Sequence, residues 1–228
     1  MKIKSFGLQG FRGYSSRINV EFPNLRVLVG KNDIGKSTIL EALDIFFNDG
    51  KGSVKLDKED INKANLLTGD NTIEISVEFE DLPSKIVIDS SNETTLSAEY
   101  LLTPSNTLKV IKRYPNAGAA KVYIKANHPN ADGCKELLLK KNADLKKILN
   151  DQSLVCADKT KNSELRKAIW LGQADLQLEE TEIEVAKIDS KNIWDQLKAY
   201  MPLYTLFQSD RKNSDGDSEV QDPILANW

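Results

Sequence analysis

The sequence predicts an α/β fold, and three stretches carry that expectation. Residues 25–48 read LRVLVGKNDIGKSTILEALDIFFN, an apolar β-rich run followed by a glycine-rich loop and then Ile39, Leu40, Leu43, Phe46 and Phe47 at helical spacing. Residues 72–126 fall into short alternating runs separated by Pro, Asn, Ser and Gly, the pattern of an antiparallel meander. Residues 135–201 turn charged and helical in period. The chain therefore divides into core strands with a first helix (1–50), an antiparallel β-subdomain (51–134), a helical segment (135–201) and a final strand with its tail (202–228).

Composition bounds the partners. At 228 residues and 40% hydrophobic, the chain can bury a core, and 31 basic against 34 acidic side chains leave a net charge of −3. Without an overall basic field, any nucleic-acid contact has to be local. Cys134 and Cys156 form no C-x-x-C pair and His128 is the single histidine, so neither a disulfide framework nor a zinc site is indicated. No apolar run approaches the roughly 20 residues a membrane helix needs, and a reducing, cytoplasmic setting without membrane partners is expected.

At the N-terminus, KIKSFGLQGF and RINVEF read as two strands, the second with Ile18, Val20 and Phe22 on one face, joined by the turn FRGYSS. The run Gly30 to Ser37 then fits G-x-x-x-x-G-K-[ST] at every fixed position. Its glycines let consecutive backbone N–H groups turn toward one anion, and the helix that follows adds unpaired donors and a partial positive charge. In such a loop Lys36 reaches the β- and γ-phosphates, Ser37 puts its hydroxyl on Mg²⁺ and Thr38 donates to the α-phosphate. Asn32, Asp33 and Ile34 contribute mainly backbone, and Lys31 and Gly30 are further nucleotide-binding candidates in the same loop. ATP with Mg²⁺ is the expected ligand.

This opening, an FRGY corner and a polar-apolar strand leading straight into the P-loop strand, resembles the ABC-type ATPase heads of the RecF, SMC and OLD (overcoming lysogenization defect) group. The resemblance implies a P-loop NTPase, first lobe of an ABC-type head, with an antiparallel β-subdomain and a helical segment. It also implies that the early arginine lies near the nucleotide, which makes Arg12 a candidate for phosphate or base contact. A surface arginine in a hairpin turn is the alternative.

Further along, Asp49 to Gly52 breaks the helix, and Asp57 to Leu67 is expected as a short helix with Ile61, Ala64 and Leu67 inward. TIEISVEFEDL, KIVID, TTLSAEYLL, TLKVIKRY and AKVYIKA supply the meander. IVIDS invites a Walker B reading, but no Glu follows Asp89 and Pro83 introduces the strand like a hairpin member, so Asp89 is read as a turn residue. Lys109, Lys112, Arg113, Lys121 and Lys125 would cluster on adjacent strands, as a phosphate-backbone contact or a solvated face. Three helices are expected in 135–201: one capped by Asn142, one capped by Asn162 or Ser163 and ended by Gly172, and one from Asp189 or Ser190 that buries Ile193, Trp194, Leu197 and Tyr200 and stops before Pro202. The run Glu179 to Glu184 reads as a solvated face.

Leu203 to Phe207 reads as an apolar strand ahead of a polar loop. In the ABC-type heads such a strand ends in the Q-loop glutamine, so the resemblance makes Gln208 a Mg²⁺ ligand and, with Lys36, a catalytic position. LFQSDR is also similar to the corresponding loop of OLD-type ATP-dependent endonucleases, with Asp210 and Arg211 available for an ion pair or a dimer contact. Nothing after Gln208 offers an LSGGQ-like signature, an apolar strand ending in Asp-Glu, or a switch histidine. The expected protein is thus the ATP-binding first lobe of an OLD-like or SMC/RecF-like protein acting on DNA in repair or phage defence, its partner a second ATPase head, with little turnover of its own. An ATP-gated dimerisation or scaffold module is the alternative, and a small-molecule kinase is disfavoured because no Arg-rich lid is visible.

Overall fold

The computed structural model describes residues 1–24, 35–89, 92–185 and 191–207. Among the described residues the strands are β1 (Lys2–Gln9), β2 (Ile18–Glu21), β3 (Thr72–Glu80), β4 (Ile86–Asp89), β5 (Asn92–Thr94), β6 (Leu108–Pro115), β7 (Lys121–Pro129) and β8 (Leu178–Glu184). Six of them form one sheet in the order β2-β1-β3-β6-β7-β8, every described pairing antiparallel, while β4 and β5 make a separate hairpin. The alternation read from TIEISVEFEDL holds: Ile73, Ile75, Val77 and Phe79 are fully buried.

Register carries that apolar face across the sheet, because Val77 stands beside Phe6 and Val110, Val110 beside Ile124, and Ile124 beside Ile183. Helix α1 (Lys36–Asn48) lies on this face and buries Ile39, Leu43, Ile45 and Phe46, with Phe47 edge-on to Phe79. Each such side chain contributes about 1.5–3 kcal/mol on leaving water, which is what holds a 13-residue helix in place. Helix α5 (Lys191–Lys198) covers more of the same core with Ile193, Trp194 and Leu197, as its spacing predicts. Tyr204 then fastens the following segment to α1, its hydroxyl donating to the Leu40 carbonyl at 2.9 Å and its ring stacked on Phe47 at 5.7 Å. Residues 203–207, expected as a strand, show no strand pairing among the described residues.

Two cations on β6 part company. Lys112 leaves the basic cluster expected from the sequence, because its parity is that of Leu108, Val110 and Tyr114 and it points inward. Its Nζ donates to the Phe46 carbonyl at 2.6 Å and to the Asp49 carboxylate, between the Phe46 and Trp194 rings. That cation sits where the orphan carbonyls and the negative end of the α1 dipole collect. Burial lowers the Lys112 ammonium, against the pull of Asp49. Burial by itself would raise the Asp49 carboxyl, but Lys112 and Lys198 outweigh it and hold it below the usual range. On the open face, Arg113 pairs with Glu74 at 2.7 Å and Glu182 at 2.6 Å, Arg17 pairs with Glu74, and Lys125 pairs with Glu180 at 2.6 Å.

Helices α3 (Asn142–Asp151) and α4 (Asn162–Leu171) pack as a second core of Leu137, Leu145, Leu149, Leu165, Ile169 and Trp170. Asn142 and Asn162 open these helices as first residues instead of capping them, and the Asn142 side chain donates to Asn162 Oδ1 at 2.8 Å. Gly172 does end α4, in a right-handed conformation, with Leu154 lying where its Cβ would go.

Three expectations are corrected. TTLSAEYLL is not a strand beyond Thr94: residues 95–100 turn, so that Glu99 can take a bidentate bond from Arg166 at 2.7 and 2.9 Å, both side chains 1% exposed. The segment 135–201 is not wholly helical, because its acidic run is β8, whose exposed glutamates meet the cations of β6 and β7. Asp57 to Leu67 is a 3-10 turn (Lys58–Asp60) followed by the short helix α2 (Lys63–Leu67). Ile61 is buried, but Ala64 is exposed and Leu67 is 89% exposed.

Candidate functional site

Gly35 is the N-cap of α1, at φ 87° and ψ 12° in the left-handed region. Glycine reaches that region without strain, which is why the second fixed glycine of the motif stands there. It brings no capping side chain, and the first turn of α1 contains no acidic residue. Among the described residues, neither the cap nor the first turn of this 13-residue helix supplies an anion, and the donors and dipole of such an N-terminus fit a phosphate. Lys36, Ser37 and Thr38 form that first turn, Ser37 exposed and the other two half-buried. The Lys36 ammonium and the Ser37 and Thr38 hydroxyls thus belong to one turn of the fold.

The FRGY corner is folded against this helix. Phe11 is fully buried, and its backbone pairs with that of Tyr14. Arg12 adopts φ 48°, and its guanidinium reaches both Asp60, at 2.7 Å, and Glu41 on α1. Its own N–H donates to the Asp60 carbonyl at 2.6 Å, while Asn62 donates to the Arg12 carbonyl at 2.5 Å. Burial lowers the Arg12 guanidinium, but the two carboxylates outweigh it and raise it above its ordinary value. Arg12 is therefore held at Glu41, about one helical turn beyond Ser37, as a brace between α1 and residues 57–62. Beside it, Gly13, Ser15, Ile61, Asn62 and Lys63 help to line an open groove of ≈ 430 Å³.

Tyr14 was quoted in the motif but given no role by sequence reasoning. Its hydroxyl donates to the Gly35 carbonyl at 3.2 Å. Glu41 and Asp60 were missed as well. Glu41 stands one turn after Ser37 on the helix, a spacing that signals a shared face, whereas Asp60 gives no local signal.

Gly30, Lys31, Asn32, Asp33, Ile34, Gln208, Asp210 and Arg211 lie outside the described residues. Asp89, read from the sequence as a turn residue, is the last residue of strand β4 and pairs with Asn92 in the separate hairpin. His128 is buried in the sheet with its Nδ1 on the Tyr100 carbonyl at 2.9 Å, and burial lowers its pKa. Among the described residues no three His, Cys, Asp or Glu side chains gather as a metal site, and no helix is long and apolar enough to cross a membrane.

Comparison with known proteins gives one family. A family model described as an AAA ATPase domain matches residues 1–228. No curated protein matches the chain. A solved structure from work on ATP-driven dimerization and DNA-stimulated activation of SMC ATPases aligns with 55% of this chain and 70% of its own, at 16% identity and a TM-score of 0.38. That likeness is too slight to carry an argument.

Proposed function

The chain belongs to the AAA ATPase domain family, a P-loop NTPase fold, and from that premise we propose that residues 30–38 bind ATP with Mg²⁺ in the first lobe of a DNA-processing ATPase. One observation supports the site above the others: Gly35 starts α1 in the left-handed conformation, with no protein carboxylate in the first turn to compete with a phosphate. In this reading Lys36 would neutralise the β- and γ-phosphates, Ser37 and Gln208 would hold Mg²⁺, and backbone N–H groups of Gly30 to Ile34 would donate to the phosphate oxygens.

Hydrolysis in such a site needs a carboxylate to orient water, and a strand ending in Asp-Glu is missing from this sequence. We therefore expect binding with little turnover, completed by a second ATPase head, in a protein of the OLD-like or SMC/RecF-like group that works in DNA repair or phage defence. A second reading is favoured by the open face of the sheet. Arg113 and Lys125 are spent on Glu74, Glu182 and Glu180, so that surface suits an ATP-gated dimerisation or scaffold module better than a DNA-binding plate.

The test is calorimetric titration of ATP-Mg²⁺ into the chain and its Lys36→Ala variant, followed by size-exclusion chromatography with and without duplex DNA. Micromolar binding, weakened at least about 100-fold in the variant, is expected, since a buried charge-phosphate contact is worth several kcal/mol. ATP-dependent co-elution with DNA supports the first reading and ATP-dependent self-association without DNA the second. Equal affinity in both proteins would remove Lys36 from the site.

A further inference from the structure

Tyr14 is the aromatic side chain against the end of the glycine loop, and the nucleotide chemistry above leaves it unused. A Cβ built on Gly35 would meet its hydroxyl oxygen at 2.8 Å and its ring at 3.1 Å. We propose that Tyr14 is a positioning residue for the phosphate site, fixing the peptide plane between Gly35 and Lys36. The inference rests on the reading of Gly30 to Ser37 as a phosphate loop.

The geometry is that of a single rigid amide. The Gly35 carbonyl accepts two hydrogen bonds, from the Tyr14 hydroxyl at 3.2 Å and from the Ile39 N–H at 3.3 Å, so both its lone pairs are engaged. That carbonyl and the Lys36 N–H belong to one planar trans peptide and point in opposite directions. Pinning the oxygen toward Tyr14 and the helix therefore aims the Lys36 N–H outward from the helix N-terminus, where a phosphate oxygen would lie. Glycine explores more backbone conformations than other residues, so with the Ile39 N–H as the one remaining partner of that carbonyl the plane would spread over a wider range of orientations.

The corner that holds Tyr14 is itself anchored. Tyr14 and Phe11 exchange backbone hydrogen bonds at 2.9 and 3.2 Å, and the Asn65 side chain donates to the Ser15 carbonyl at 3.3 Å. Arg12 grips α1 a second time, through Glu41. The corner thus holds the helix at Gly35 and again at Glu41, and rotation of the first turn against the corner is opposed at both points.

Losing the hydroxyl lowers the fraction of molecules with the plane correctly set, and apparent affinity falls by that fraction. Tyr14→Phe keeps the ring and removes the hydrogen bond, so ATP-Mg²⁺ should bind about fivefold more weakly. The unliganded melting temperature should stay within about 3 °C of wild type. Tyr14→Leu, which also opens the space beside Gly35, should lose more affinity than Tyr14→Phe. A merely structural tyrosine would lower the melting temperature and leave the dissociation constant of the folded chain alone.

The experiment is titration of ATP-Mg²⁺ into wild type, Tyr14→Phe, Tyr14→Leu and Lys36→Ala, with a melt of each unliganded protein. Wild-type affinity in Tyr14→Phe, beside a loss in Lys36→Ala, would overturn the role of Tyr14 and leave the phosphate loop standing. A Tyr14→Phe chain that unfolds before it can be titrated would also overturn it, since the residue would then serve the fold at large. A wild-type chain that binds no ATP would overturn the phosphate loop and this inference together.

Discussion

Lys112 and Arg113 are neighbours on β6 and carry the same charge, but they live in different solvents. Lys112 is 1% exposed and is held by a helix-end carbonyl, a carboxylate and two aromatic rings. Arg113, with its side chain 30% exposed, bridges Glu74 and Glu182 over the Tyr123 ring on the open face. The difference is strand parity: successive side chains point to opposite faces, so one residue step decides whether a cation is structural cement or part of a surface ion-pair ladder. The buried one also ties together the C-terminal end of α1, the sheet and, through Asp49 and Lys198, helix α5.

The contrast is sharpest in a denaturation series. Lys112→Ala leaves the Phe46 carbonyl without its donor and opens a space between two rings, and it is expected to cost about 3 kcal/mol. Arg113→Ala in the same series is expected to cost less than about 1 kcal/mol, and less still at high salt. Equal costs would break the comparison. A smaller effect should appear in acid. Asp49 titrates below its unfolded value, so the stability it contributes is present above about pH 4 and is lost as pH falls through its lower folded pKa. Asp49→Asn should therefore flatten the acid side of the stability profile. An unaltered profile would mean that Lys112 is held by the Phe46 carbonyl and the rings alone.

Parity also explains what the sequence made legible. Ile73, Ile75, Val77 and Phe79 announced β3, and Ile193, Trp194 and Leu197 announced α5, because each pattern reports one buried face. The same reasoning applied to Leu108, Val110, Lys112 and Tyr114 places Lys112 inside, and grouping it with Lys109 and Arg113 overlooked that signal. β8 was harder: LEETEIE has Ile183 as its one buried residue, and its pairing is made by backbone and by cations on other strands. TTLSAEYLL looked extended because Glu99 gives no local hint of Arg166, its partner 67 residues away. At the site, the Gly-Lys-Ser-Thr run located the start of α1 by itself. The clamp of Tyr14 on Gly35 and of Arg12 on Glu41 depends on how a hairpin turn packs on a helix, which no spacing in the chain records.

The central claim is that a triphosphate sits on the first turn of α1. Amide hydrogen exchange read by peptide mass spectrometry, with and without ATP-Mg²⁺, tests it most directly. The account predicts slowed exchange in peptides spanning residues 30–40, loss of that protection in Lys36→Ala, and unchanged exchange in β8. Protection confined to other segments, with residues 30–40 exchanging as fast as in the unliganded chain, would contradict it.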